Sequence, residues 1–214
     1  RWSMTRTAVR SLALGVLLCV VVAPEARAAS AWIPTVAHSP GTGDSVWRSD
    51  VSLLNLCPEP ATVELTLHSL AGAATATRTV EGSADQVLRD VVGMLTSGDA
   101  SGTLEVRSDR PLLVASRTYS LSAGGTFGRS PDGVAVEDGL ARGESAFLHQ
   151  LEENQSFRTN IGVLNMGLTP ALVEVSLFDR LGGAVGTYRL TVYAARVIQD
   201  PRPFVNRFGR SDIA

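Results

Sequence analysis

The chain has no lysine; all nineteen of its basic side chains are arginine. That excludes Schiff-base lysine chemistry and a P-loop lysine. Cysteine is scarce, with Cys19 and Cys57 the whole supply. Aromatic residues make up 6% of the chain, and its formal net charge is −2. No basic field is available for nucleic acid or anionic lipid. No stretch sustains a 3.6-residue apolar period, so long helices are not expected. Catalytic motifs are missing too. Gly128-Arg129-Ser130-Pro131-Asp132 fails the Gly-x-Ser-x-Gly elbow at its last position. No glycine-rich phosphate loop opens a helix. His38, His68 and His149 are scattered and show no zinc spacing.

What the chain does have begins with a basic, then apolar, N-terminus. Arg1, Arg6 and Arg10 precede the apolar run Ser11 to Val22, and Ala26-Arg27-Ala28 is a small-x-small cleavage site. This reads as an export signal over 1–28, with Met4 as the start and the mature protein beginning near Ala29. The run is about a dozen residues, short of the roughly 20 that span a bilayer. No membrane span is expected after cleavage. Leu18 before Cys19 argues against a lipoprotein. In the mature part fifteen arginines face twenty acids. Cys57 is then a lone thiol, so stability must come from apolar cores.

The most informative positive feature is an internal repeat. Shifted by 110 residues, Trp47-Arg48-Ser49-Asp50-Val51-Ser52-Leu53-Leu54-Asn55 falls on Phe157-Arg158-Thr159-Asn160-Ile161-Gly162-Val163-Leu164-Asn165. The match is expected to run without a gap to Asp90 over Asp200. Identical pairs include Pro60/Pro170, Val63/Val173, Leu67/Leu177, Gly72/Gly182 and Val87/Val197. A period of this length suits one small domain and is too long for a solenoid unit.

Within each unit the pattern is that of short strands. Thr62 to His68 alternates with Val63, Leu65 and Leu67 on one face, and Leu172 to Phe178 does the same with Val173, Val175 and Leu177. Asn55 to Pro60 and Asn165 to Pro170 are turns, in which the Asn caps its own backbone. About seven strands in about 90 residues predict an all-β chain of two tandem antiparallel immunoglobulin-like β-sandwich modules. The boundaries are 29–121 for module 1, 122–143 for a glycine-rich linker or long loop, and 144–214 for module 2. Glu144 to Leu151 should open module 2 in the place of Trp32 to Ala37. At this offset module 2 lacks counterparts of Leu104 to Ser120. It is therefore expected to be truncated and to associate through the open edge, near Val163, Val175, Leu177 and Ile198.

Candidate ligand-binding residues are Trp47, Arg48, Phe157 and Arg158. Trp stacks on sugar rings and Arg pairs with carboxylates, so a twice-repeated patch would suit a protein or glycan partner. The favoured reading is structural: the aromatic packs the sandwich end, Arg covers it, and Asp50/Asn160 satisfies the preceding loop. Asp132, Glu137, Asp138 and Glu144 offer hard oxygen ligands of the kind calcium takes, though solvated loops carry the same composition. No catalytic residue, metal or cofactor is expected.

Trp32-Ile33-Pro34, then Ala37-His38-Ser39-Pro40-Gly41, then Ser45 to Val51 and Asn55 resemble the opening of a poorly characterised group of secreted bacterial tandem β-sandwich repeat proteins. Phe157 to Asn165 resembles the same group's second repeat. The resemblance implies an exported, non-catalytic protein with a structural, adhesive or protein-interaction role at the cell surface or outside the cell. The other expectation is a carbohydrate- or calcium-binding accessory module of a larger secreted protein.

Overall fold

The computed structural model describes residues 29–211 except Thr42 and Ala123. The expected signal segment lies outside the described residues. The chain is all-β: its helices, among the described residues, are the short α1 (Val91–Leu95) and α2 (Pro203–Phe208) and one 3-10 turn at Val136–Asp138.

The first half comprises β1 (Ala29–Pro40), β2 (Val46–Asn55), β3 (Ala61–Ser69), β4 (Gly72–Val80), β5 (Asp85–Leu88), β6 (Ala100–Ser108), β7 (Leu112–Ser122), β8 (Gly125–Arg129) and β9 (Val134–Ala135). They form one antiparallel hydrogen-bonded network in the order β4-β3-β6-β1-β2-β7-β8, with β5 on β2 and β9 on β1. β1 links the two parts of the network. Its residues up to His38 pair with β6, whereas Ser39 and Pro40 pair with the start of β2. Period-two alternation sends one face of each strand inward. Val63, Leu65 and Leu67 of β3, Leu104 and Val106 of β6, and Val51 and Leu53 of β2 meet in a single core with Ile33, Leu88, Val91 and Val92.

The segment 122–143, expected as a linker, instead extends the sheet. β8 pairs with β7 from Thr118↔Arg129 to Ser122↔Gly125, and β9 pairs with Ala31 and Trp32. Two of its glycines serve close packing between strands, whereas a Cβ at Gly124, Gly125 or Gly143 would meet nothing within 4 Å. A Cβ at Gly128 would fall 2.3 Å from the Thr118 carbonyl oxygen, and one at Gly133 would fall 2.9 Å from Val114 Cβ. Glycine content alone does not separate this use from a flexible linker.

The second half contains β10 (Asn160–Asn165), β11 (Ala171–Phe178), β12 (Ala184–Val192) and β13 (Arg196–Pro201). β10 pairs only with β13 and β11 only with β12 among the described residues. Glu144 to Leu151, expected to open this half as a strand, forms none. Residues 144–150 are exposed, with Phe147 at 89%, and Leu151 packs partly against the core of this half. In the first half β1 is held by β6 and β9; residues 144–151 have no such neighbours among the described strands. The core is correspondingly small. Ile161, Leu177 and Phe204 are buried, with Val163, Val175 and Tyr188 packed partly against them. Leu177 thus faces inward as expected, while Val173 and Val175 are half-buried.

The gapless offset of 110 does not survive the second hairpin. β3 and β4 pair Ala61 with Val80, whereas β11 and β12 pair Ala171 with Val192. The first strands are 110 apart and the second strands 112, because the β11–β12 turn is longer by two residues. Asp179 closes that turn, accepting bonds from Leu181 N and Gly183 N. The left-handed residues Ser83 and Asp90 accordingly match Ala195 and Arg202, with φ of 54° and 47° against 52° and 51°. Gly72/Gly182, Val87/Val197 and Asp90/Asp200 are identities in the sequence but do not occupy matching places.

Candidate functional site

The turn asparagines act as expected in both halves. Asn55 Oδ1 accepts from Cys57 N at 2.9 Å, and its Nδ2 donates to Glu59 O at 2.8 Å and Val80 O at 3.2 Å. Asn165 Oδ1 accepts from Gly167 N at 2.9 Å, and its Nδ2 donates to Thr169 O at 2.8 Å and Val192 O at 2.9 Å. One side chain thereby fastens the β2–β3 or β10–β11 turn to the end of β4 or β12.

Of the candidate binding residues, Trp47 lies near the start of β2 against the turn at Gly41, where a Cβ would come 2.7 Å from the indole nitrogen. It remains 36% exposed. Arg48 donates from Nη1 to Trp47 O at 2.7 Å, and its Nε lies 3.3 Å from Asp90 Oδ2. The same Oδ2 is 2.7 Å from His38 Nδ1. Asp90 Oδ1 accepts from Gly93 N at the start of α1. Asp90 is therefore a helix cap held by two side chains.

Two residues along β2, Asp50 is buried although it sits on the outward face. Its Oδ2 accepts from Arg89 Nη1 at 2.6 Å; its Oδ1 accepts from Asp90 N at 3.0 Å and Tyr119 OH at 3.3 Å. It was expected to satisfy the loop before β2 and instead ties down the turn after β5. Register sets Arg48 opposite Tyr119 and Asp50 opposite Arg117. The Arg117 guanidinium lies 4.6 Å from the Tyr119 ring centroid. Burial first, and then the Asp50 charge, push the Tyr119 pKa up. The bond from Arg89 to Asp50 raises the Arg89 pKa.

The second block differs in chemistry. Phe157 is 58% exposed, in a turn where Asn154 Oδ1 accepts from Ser156 N and Phe157 N. It borders an open depression with Gln155, Arg202 and Ser211. Arg158 is exposed and forms no ion pair among the described residues. The place of Asp90 is taken by Arg202. The carboxylate comes from Glu153, fully buried, whose Oε1 accepts from Val205 N at 2.8 Å and lies 3.9 Å from Arg202 Nε. Val205 matches Gly93 as the third helical residue. Thr159 Oγ1 donates to Glu152 O, and Ser49 Oγ accepts from Ala37 N; each ties the segment before the turn to the strand, and the residue after the tied one is Glu153 in one case and His38 in the other. The pairing of His38 with Asp90 is thus repeated as Glu153 with Arg202, with acid and base exchanged. Sequence reasoning missed Glu153, because the loop that follows it is shorter than its counterpart and breaks the constant offset.

Other polar groups are also engaged. His68 stacks on buried Trp32 with ring centroids 5.3 Å apart, and its Nε2 is 3.1 Å from Glu105 Oε2. Arg107 Nε donates to Glu105 Oε1 at 2.7 Å. His149 is exposed on the unpaired segment. In the second half Arg207 holds buried Asp200 and lies over the Tyr188 ring. The Tyr188 hydroxyl is buried beside Asp200. Desolvation, and then Asp200, push its pKa up. Among the described residues no group of three or more His, Cys, Asp or Glu side chains converges to hold a metal. Asp132, Glu137, Asp138 and Glu144 do not meet, and Glu144 instead accepts from Ala141 N.

No family model matches the chain, and no curated protein matches it. Among solved structures, the crystal structure of Thermotoga maritima 1070 is similar over 50% of this chain and 94% of its own, at 13% identity and a TM-score of 0.42. A likeness of that size carries no argument about fold or function.

Proposed function

We propose that the chain is an exported, non-catalytic protein of two tandem immunoglobulin-like β-sandwich modules, with a structural, adhesive or protein-interaction role at the cell surface or outside the cell. The observation that carries the two-module reading is the asparagine fastening, made by Asn55 and Asn165 to matching backbone atoms. The non-catalytic part rests on how the reactive side chains are used. His38 and Asp90 form the pair that would orient a general base, but Asp90 is also bonded to Arg48 and caps a helix. Export rests on the basic, apolar and Ala-x-Ala pattern of the N-terminus. Expression with the native N-terminus in a bacterial host tests it. The expected product lies outside the cytoplasm with an intact mass starting near Ala29; a mass retaining residues before Ala23 overturns the reading.

The second reading, a carbohydrate-binding accessory module, is favoured by one observation. Arg48 stands on a sheet surface that also carries Arg89, Arg117 and Tyr119, and part-exposed Trp47 lies beside it at the start of the same strand.

A further inference from the structure

We infer that the open edge of β11 pairs antiparallel with β11 of a second copy of this chain, centred on Val175. The inference rests on strand register and is independent of export and of the role proposed above. β3, the counterpart of β11, carries β4 on one edge and β6 on the other. β11 carries only β12 among the described strands, in the place of β4. The edge that β6 fills in the first half is therefore open in the second. Among the described residues, no hydrogen bond outside the β11–β12 ladder reaches the backbone of 171–178. A row of unpaired N–H and C=O groups is a template for another strand, and proteins usually blunt it with proline, charge or a bulge. β11 has no proline, and its one charged residue, Glu174, is paired with Arg189. β12, also an edge, is blunted by the register shift opposite Leu177 and Phe178.

The sequence of the strand selects a second copy as the occupant. Centred on Val175, antiparallel pairing sets Leu172 opposite the partner's Phe178, Val173 opposite the partner's Leu177, and Glu174 opposite the partner's Ser176. Apolar residues meet apolar residues everywhere except at Glu174 and Ser176, and no like charges meet. Directly opposite residues share a face. Val173, Val175 and Leu177 of both copies therefore continue one apolar surface, while Leu172 and Phe178 meet on the other. The first half shows what a strand covered by β6 carries at those outer positions. Thr62 and His68 stand there in β3, whereas β11 has Leu172 and Phe178, 66% and 53% exposed. Pairing about a twofold axis uses the same edge on both copies and closes, so the product is a dimer and not a fibre.

The test is sedimentation velocity of the purified chain across concentration. One strand edge is a small interface, so the dimer should be weak, with a Kd on the order of 0.1 mM, and loading up to about 1 mM covers it. Ser176→Glu sets like charges opposite each other twice per dimer and should weaken association about tenfold. Ser176→Lys sets opposite charges there and should tighten it by a similar factor. Ser176 is exposed, so both variants keep the folded monomer. The double variant Leu172→Thr, Phe178→His copies the outer positions of β3 and should abolish association with an unchanged circular dichroism spectrum. A monomer at every concentration overturns the inference. A dimer indifferent to the Ser176 variants and to the double variant overturns the assigned edge. Binding of a peptide with the sequence of β6 (Ala100–Ser108) to a chain that stays monomeric assigns the edge to a strand of that pattern and overturns the second copy.

Discussion

Asn55 is 1% exposed and serves four backbone groups: one N–H and three carbonyls. No other side chain of that size offers both an acceptor and two donors at such a turn. Asn55→Ala leaves buried carbonyls unpaired and should cost roughly 2–4 kcal/mol in urea unfolding. Asn165 makes fewer of these bonds and is half-buried, so Asn165→Ala should cost roughly 1–2 kcal/mol. A second residue-scale expectation concerns Tyr188, whose pKa is raised above the ordinary 10.0, first by burial and then by Asp200. Between pH 10 and the raised value the folded protein holds a proton that the unfolded chain has lost. The tyrosine's contribution is complete below pH 10 and disappears as pH climbs through the folded value. Urea midpoints followed from pH 9 to 11 should fall, and Tyr188→Phe should flatten that fall.

At the scale of elements, the two short helices show how one task is met by different residues. Both begin after a left-handed residue, and both need a carboxylate on the third backbone N–H. Asp90 supplies it locally in α1, and Glu153 supplies it from a distant segment in α2. Glu153→Ala removes the cap and should destabilise the second half by about 1–2 kcal/mol, while Glu153→Gln should recover part of that loss. Leu67→Ala, in the larger core, should cost roughly 2–5 kcal/mol by the same unfolding assay. The strands themselves were legible, because Val63, Leu65 and Leu67 alternate cleanly and all are buried. The asparagine turns were legible because short polar side chains bond their own backbone. Three things were not. A two-residue lengthening of the β11–β12 turn moves every later partner without disturbing the apolar pattern. Gly128 and Gly133 pack against neighbouring strands, whereas the composition of 122–143 reads as a linker. The Arg89–Asp50–Tyr119 cluster joins residues up to 69 positions apart, and no local spacing announces it.

At the scale of the whole molecule, the two halves share a design and differ in how much of it is enclosed. In the first half β3 is paired on both edges, by β4 and β6, and β2 by β5, β7 and the end of β1. In the second half β11 and β10 each have one paired edge among the described residues, and Val163 and Val175 remain half-buried. Local opening free energies follow buried apolar contact and satisfied ladders, so the halves should open separately. Native-state hydrogen exchange resolved by segment measures this most directly. The account predicts that amides of Ala61–Ser69 exchange only with the highest opening free energy in the protein, and that those of Ala171–Phe178 exchange with a distinctly lower one. Equal protection of both segments, lost in a single cooperative step, would contradict the proposal that the chain is two modules with unequal cores.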